Sequence, residues 1–202
     1  MERAASCEEV SKVNTMSRRR AEPTIKSIWS PQDIYQILSK RHATKLWLWL
    51  IENPKINNIN DIPFSKFSYS DDAINKIKSG YTMNTSKIVD IFESAREDTI
   101  KLLIELFDGH RVETVIMRHH KRTTVCLSSQ VGCQMGCKFC ATGTMGIIGD
   151  LHTNEIIEQL MFCDRITPVR NVVFMGMGKQ SFYYYPADIS DSHLLAYLLL
   201  YR

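Results

Sequence analysis

Residues 126–143 read Cys126-Leu-Ser-Ser-Gln-Val-Gly-Cys133-Gln-Met-Gly-Cys137-Lys-Phe-Cys140-Ala-Thr-Gly143. The spacing Cys133-x-x-x-Cys137-x-x-Cys140 puts three thiolates on one short loop. Gly132, Gly136 and Gly143 are small spacers that let the backbone wrap closely around a bulky ligand. Four thiolates would satisfy all four irons of a cubane cluster. Three leave one iron open to chelate a small molecule, as a catalytic zinc keeps one free position. The competing reading is a structural zinc, for which Cys126 and His152 are the candidate fourth ligands. The chain has six cysteines, at 7, 126, 133, 137, 140 and 163. Their crowding around one loop suits a metal site in a reducing compartment better than a disulfide framework.

Outward from this loop the hydrophobic period sets the fold. Thr123 to Ser128 reads as a short strand. Thr153 caps a helix carrying Ile156, Ile157, Leu160 and Met161 on one face. Asn171 to Met175 reads as a buried strand ending at Gly176-Met177-Gly178. Strand, loop, helix, strand implies a parallel βαβ unit. Upstream, Thr99–Phe107 and Arg111–Met117 flank Asp108-Gly109, predicting a hairpin with a type I′ turn. Three helices precede it. One follows the Ser30-Pro31-Gln32-Asp33 start signal, with Ile34, Ile37 and Leu38 at helical spacing. A second covers about 41–52, with Leu46, Trp49 and Leu50 inward. A third runs from Asp71 through Ile74 and Ile77 to Gly80.

The expected class is therefore α/β. Residues 1–27 form a flexible tail, 28–82 a small helical module, 83–130 a hairpin and sheet entry, 131–178 the cysteine loop and its βαβ unit, and 179–202 a divergent tail. Hydrophobic content of 44% supports a packed core, and a net charge of +3 does not by itself mark a nucleic-acid binder. No apolar run approaches the roughly 18 residues of a membrane span. Early acidic residues (Glu2, Glu8, Glu9) argue against a secretory leader.

The run from Cys126 to Gly143, with Phe139 just before the last cysteine, is similar to the radical S-adenosylmethionine (SAM) superfamily. Within it the run resembles the adenine-C2 RNA methyltransferases of the RlmN/Cfr type. Asn171-Val-Val-Phe-Met-Gly-Met-Gly178, Arg111-Val-Glu-Thr-Val115 and the helical module match the same family, so the resemblance covers about residues 28–178. It implies that the chain is an enzyme with a partial (β/α) barrel, of which this sequence holds the first part. Cys133, Cys137 and Cys140 would hold a [4Fe–4S] cluster, and Phe139, Met177 and Gly178 would line the SAM site. In that family the cluster reduces SAM to methionine and a 5′-deoxyadenosyl radical. The radical takes hydrogen from a methylated cysteine near the family's C-terminus, and the resulting carbon radical adds to C2 of an adenine in rRNA or tRNA. Cys126 matches the second redox cysteine, which resolves the protein–RNA adduct, and Glu113 matches the proton acceptor. From the residues alone, Cys126 reads as a core cysteine and Glu113 as a solvated strand residue. Cys163 and Cys7 match nothing and read as structural and tail residues.

The basic run Arg118-His119-His120-Lys121-Arg122 and module residues Lys40, Arg41, Lys45, Lys76 and Lys78 read either as phosphate contacts or as solvated faces. The resemblance tips the module towards docking RNA. It further implies an electron donor such as a flavodoxin or ferredoxin, and a cytoplasmic or organellar location. The sequence departs from the family after Gly178. Where the family has Glu-Pro, with the Glu holding the SAM amino group, this chain has Lys179-Gln180, and no cysteine follows Cys163. The expectation is a truncated product with impaired catalysis. The alternatives are a catalytically dead RNA-binding fragment and an iron–sulfur interaction protein.

Overall fold

The computed structural model describes residues 20–21, 23–119, 122–133 and 146–175. Its N-terminal part is helical. β1 (Lys26–Ser27) leads into α1 (Pro31–Ile34), α2 (Lys40–Glu52), two short 3₁₀ turns and α3 (Asp71–Gly80). β2 (Tyr81–Thr82) then returns to pair with β1 in parallel. Ser39 and Ser70 start α2 and α3, their side chains accepting from the His42 and Ala73 N–H groups. α1 is shorter than the Ile34, Ile37, Leu38 pattern predicts: it stops at Ile34, and a separately capped helix begins one turn later. On α2 the buried residues are Ala43, Leu46, Trp47 and Leu50. The inward tryptophan is thus Trp47, whose indole N–H donates to the Ile28 carbonyl at 2.8 Å. Trp49, the sequence-based choice, is half-buried and meets Phe67 edge-on at 5.9 Å.

The main sheet follows. β3 (Lys87–Glu93), β4 (Thr99–Glu105), β5 (Arg111–His119), β6 (Arg122–Cys126) and β9 (Asn171–Val173) lie side by side in that order. The first four are antiparallel neighbours, and β9 joins β6 in parallel. The βαβ unit is present: β6, then a second hairpin of β7 (Gln130–Cys133) and β8 (Gly146–Asp150), then α4 (Thr153–Ile166), then β9. β4 and β5 alternate, with Ile100, Leu102 and Ile104 buried on one and Val112, Thr114 and Ile116 on the other. α4 supplies Ile156, Ile157, Leu160, Met161 and Cys163 to the same core. Burying each large aliphatic side chain contributes about 1.5–3 kcal/mol.

Four expectations change. The β4–β5 turn is not type I′, because Gly109 has φ +84° while Asp108 does not adopt positive φ. The Leu106 N–H bonds the His110 carbonyl and the Gly109 N–H bonds the Leu106 carbonyl, which makes a longer loop with glycine at its left-handed position. The N-cap of α4 is His152 rather than Thr153, its N–H donating to Glu155 at 2.9 Å. Among the described residues β9 is a half-buried edge strand rather than a buried one, and Met175 beyond it is 82% exposed. Finally, two residues of the stretch read as a tail are built in. Arg20 is buried between Asp108 and Glu155, and Ser27 donates to Glu158.

α4 is buried along almost its whole circumference, polar residues included. Asn154, Glu155, Glu158, Gln159 and Asp164 all have partners, as buried polar groups require. Glu158 receives the Thr85 and Ser86 N–H groups and the Ser27 hydroxyl. That fixes the start of the sheet and the end of the helical module to one helix. Among the described residues no helix is long and apolar enough to cross a membrane.

Candidate metal and catalytic site

Among the described residues α4 covers one face of the sheet and leaves the other half-open. Register decides what that open face carries. Val115 on β5 is paired directly with Cys126 on β6, and Lys101 on β4 is paired with Val115. Directly opposed residues share a face, as do residues two apart on one strand. Glu113, Val115, Lys101 and Cys126 therefore share the uncovered face, while Val112, Thr114 and Ile116 point under α4. Cys126 is partly exposed there. Glu113 is half-exposed and accepts an ion pair from Lys101 at 2.9 Å. The Lys101 ammonium also sits 5.0 Å from the centre of the Phe92 ring.

From the end of β6 the chain passes through Leu127–Ser129 into the β7–β8 hairpin. Cys133 is the last residue of β7, is 8% exposed, and pairs with Gly146, the first residue of β8. The two ends of the loop between them are thus held together at one rung. Gly132 has a specific reason to be glycine. Its φ is +75°, and a Cβ there would run into the Gly146 carbonyl oxygen. It permits a close approach between two strands, a role the sequence-level reading as a ligand-wrapping spacer did not include. Cys137, Cys140 and Phe139, with Gly136 and Gly143, lie outside the described residues, as do Met177, Gly178 and Lys179. Among the described residues no three His, Cys, Asp or Glu side chains converge as a metal site.

Of the two candidate fourth zinc ligands, Cys126 and His152, the second lies away from the described cysteine of the loop, Cys133. The Gln130/Asp150 rung lies at the opposite end of the hairpin from the Cys133/Gly146 rung, about 10 Å away at some 3.4 Å per residue. His152 lies beyond that far rung, where its ring nitrogen is 3.2 Å from the Ala21 carbonyl. It is therefore remote from Cys133. Cys163 is fully buried, and burial pushes its thiol up to about 12, so it is an inert core residue as expected.

The polar groups that hold this arrangement were not singled out in the sequence. Gln159, in the middle of α4 and fully buried, accepts from the Thr114 hydroxyl at 2.7 Å and from the Ser128 N–H at 2.9 Å. Its amide nitrogen donates to the Ser128 carbonyl at 3.0 Å. The Ser128 hydroxyl donates to the Glu113 carbonyl at 2.7 Å. The signal available was a glutamine placed between the apolar pairs Ile156–Ile157 and Leu160–Met161 of a buried helix. Of the basic run, Arg118 and His119 end β5 and Arg122 begins β6; Arg118 is engaged by Glu93 and by the Glu97 carbonyl, and His120 and Lys121 lie outside the described residues. On the helical module Lys45, Lys66 and Lys78 lie over the rings of Phe67, Trp49 and Phe64 at 5.6–5.8 Å.

No family model matches the chain. A dual-specificity RNA methyltransferase RlmN of Geotalea uraniireducens is 51% identical over 87 residues, 43% of this chain and 25% of that protein. A ribosomal RNA large subunit methyltransferase N of Nitrosopumilus maritimus is 40% identical over 134 residues, 60% of this chain and 37% of that protein. A probable RlmN of Thermotoga neapolitana is 35% identical over 144 residues, 70% of this chain and 40% of that protein. The crystal structure of a radical SAM methyltransferase from Sphaerobacter thermophilus superposes with a TM-score of 0.64 at 24% identity, covering 87% of this chain and 50% of the other. That likeness establishes the fold: the α/β arrangement is the one found in a radical SAM methyltransferase. The chain is thus a relative of the RNA methyltransferases named RlmN, spanning a quarter to two fifths of the length of those compared.

Proposed function

We propose that these residues are the cluster-bearing part of a radical SAM enzyme that methylates adenine C2 in RNA. One observation carries the reading. The β5–β6 register puts Glu113 and Cys126 on the same uncovered face of the sheet, and the three-cysteine hairpin leaves from the end of the strand that carries Cys126. Cys133, Cys137 and Cys140 would hold a [4Fe–4S] cluster, and Phe139, Met177 and Gly178 would border SAM. When bound, these groups supply the radical chemistry that an electron-poor ring carbon requires. The chain's own residues orient and move protons. Glu113 is the proton acceptor, its carboxylate held in place by Lys101. Cys126 is the thiol on the same face, in the position that the resemblance assigns to resolving the protein–RNA adduct. RNA is the substrate, and a small redox protein supplies electrons to the cluster.

These 202 residues contain no cysteine after Cys163 and have Lys179 where the resemblance expects a Glu. A Lys in place of that Glu removes the carboxylate that the resemblance assigns to the SAM amino group. We propose that these 202 residues by themselves bind the cluster and do not complete methyl transfer, because the methyl-carrying cysteine that the resemblance expects is not among them. The test incubates the reconstituted chain with RNA and labelled SAM. The expected result is no C2-methyladenosine, and its formation would overturn the reading of incomplete catalysis.

A second reading, RNA binding without chemistry, is favoured by the exposed lysines Lys45, Lys66 and Lys78 of the helical module, whose ammonium groups can meet phosphates. The rings beneath Lys45 and Lys78, Phe67 and Phe64, are buried and closed to base stacking. Steep salt dependence of RNA affinity in a protein that takes up no iron would favour it over the first.

A further inference from the structure

Between Cys126 and the start of β7 the chain is anchored by the Leu127 N–H to the Val173 carbonyl at 2.9 Å and, at the next residue, by the Gln159 side chain. Gln159 bonds both peptide groups of Ser128, so its primary amide acts as an added strand rung that α4 contributes from below the sheet. The same Gln159 oxygen takes the Thr114 hydroxyl, beside Glu113, and Ser128 returns a hydrogen bond to the Glu113 carbonyl. Two further contacts close the base of the hairpin next to it: the Leu151 N–H to the Ser129 carbonyl at 2.9 Å and the Gln130 amide to Asp150 at 2.6 Å. α4 itself begins two residues after β8. Gln159 therefore ties the segment that enters the cysteine hairpin to the helix that leaves it.

We propose that Gln159 is a positioning residue: by clamping Ser128 it fixes the cysteine hairpin on the sheet and sets Cys133 relative to Cys126 and Glu113. The part concerning metal retention rests on the cluster reading above. Gln159 touches none of the three residues through its own side chain. It acts through the Ser128 backbone and the Thr114 hydroxyl. A Glu at 159 keeps the acceptor for Thr114 and the Ser128 N–H but turns an acceptor towards the Ser128 carbonyl. A Leu keeps the volume and removes every hydrogen bond.

The test compares the intact chain with Gln159→Leu, Gln159→Glu and a core control far from the hairpin, Ile77→Ala on α3. In metal-free protein, iodoacetamide labelling of Cys133 and Cys163 is followed by peptide mass. Global loosening exposes both thiols, whereas release of the clamp exposes Cys133 alone. The expected result is a Cys133 to Cys163 labelling ratio about tenfold higher in Gln159→Leu, the order expected for losing a hydrogen bond or more. Gln159→Glu should be intermediate and Ile77→Ala unchanged. An unchanged ratio in Gln159→Leu, or an equal rise in Ile77→Ala, overturns the proposal. After anaerobic reconstitution, iron release to a chelator should quicken in the order intact chain, Gln159→Glu, Gln159→Leu, and equal rates would also overturn it. If the intact chain takes up no iron, the cluster reading fails, and the labelling ratio still decides the positioning role.

Discussion

Single residues in this chain are chosen by the backbone they must serve. Gly132 is the clearest case. At φ +75°, and facing the Gly146 carbonyl where any Cβ would fall, it admits no other residue without moving a strand. Gly132→Ala should lower stability by about 2 kcal/mol or more, since a non-glycine residue held in a sparsely populated conformation costs about 1–3 kcal/mol before the steric conflict is added. Urea unfolding checks this, and an unchanged midpoint would contradict it. The glycine was visible in the sequence, but its reason was not, because the partner strand begins fourteen residues away. Trp47 and Trp49 make the same point. Both fit an apolar helical stripe, and the choice between them depends on Ile28, whose carbonyl takes the Trp47 indole N–H.

At the scale of elements, spacing predicted the helices and the βαβ order well, and it failed where strands are irregular. β3 was not foreseen because a bulge between Ile88 and Asp90 breaks its alternation, and Val89, Ile91 and Phe92 on it are exposed. β7 was hidden because its Gly132 read as a spacer around a ligand, and β8 because Gly146 and Gly149 leave only Ile147–Ile148 as an apolar signal. The packing of α4 against the β4–β5 turn was equally invisible, since it depends on Arg20. That side chain, 3% exposed, pairs with Glu155 in the first turn of α4 and with Asp108 in the turn. Removing one member of a buried pair strands the others, so Arg20→Met should cost about 3–5 kcal/mol in urea unfolding. Asp108 gives the pH dependence. Burial pushes its carboxyl up, but the Arg20 guanidinium and the His110 N–H outweigh this and hold it below the ordinary value. A carboxyl lowered in the folded state stabilises above its unfolded value, about 4, and that contribution is lost as the pH falls through the folded value. The stability gap between the intact chain and Asp108→Asn should therefore be flat between about pH 5 and 7 and narrow below about pH 4. A gap that widens in acid would contradict the assignment.

For the whole molecule, what was legible was chemical and what was not was geometric. Cysteine spacing and its flanking residues gave the cluster motif, and Glu113 and Cys126 were singled out by resemblance. The strand register brings those two onto one face, and α4, through Gln159, Glu155 and Glu158, helps tie the sheet to the cysteine hairpin and the helical module. The central claim is that the Cys133, Cys137 and Cys140 loop holds a cluster with one iron open to SAM. It is tested most directly by anaerobic reconstitution of the intact chain, with iron and sulfide counted and electron paramagnetic resonance recorded on the reduced protein with and without SAM. The account predicts about four irons and four sulfides per chain, a signal whose shape changes when SAM is added, and loss of both in Cys133→Ala. A chain that binds zinc but no iron–sulfur cluster, or a cluster signal indifferent to SAM, would contradict it.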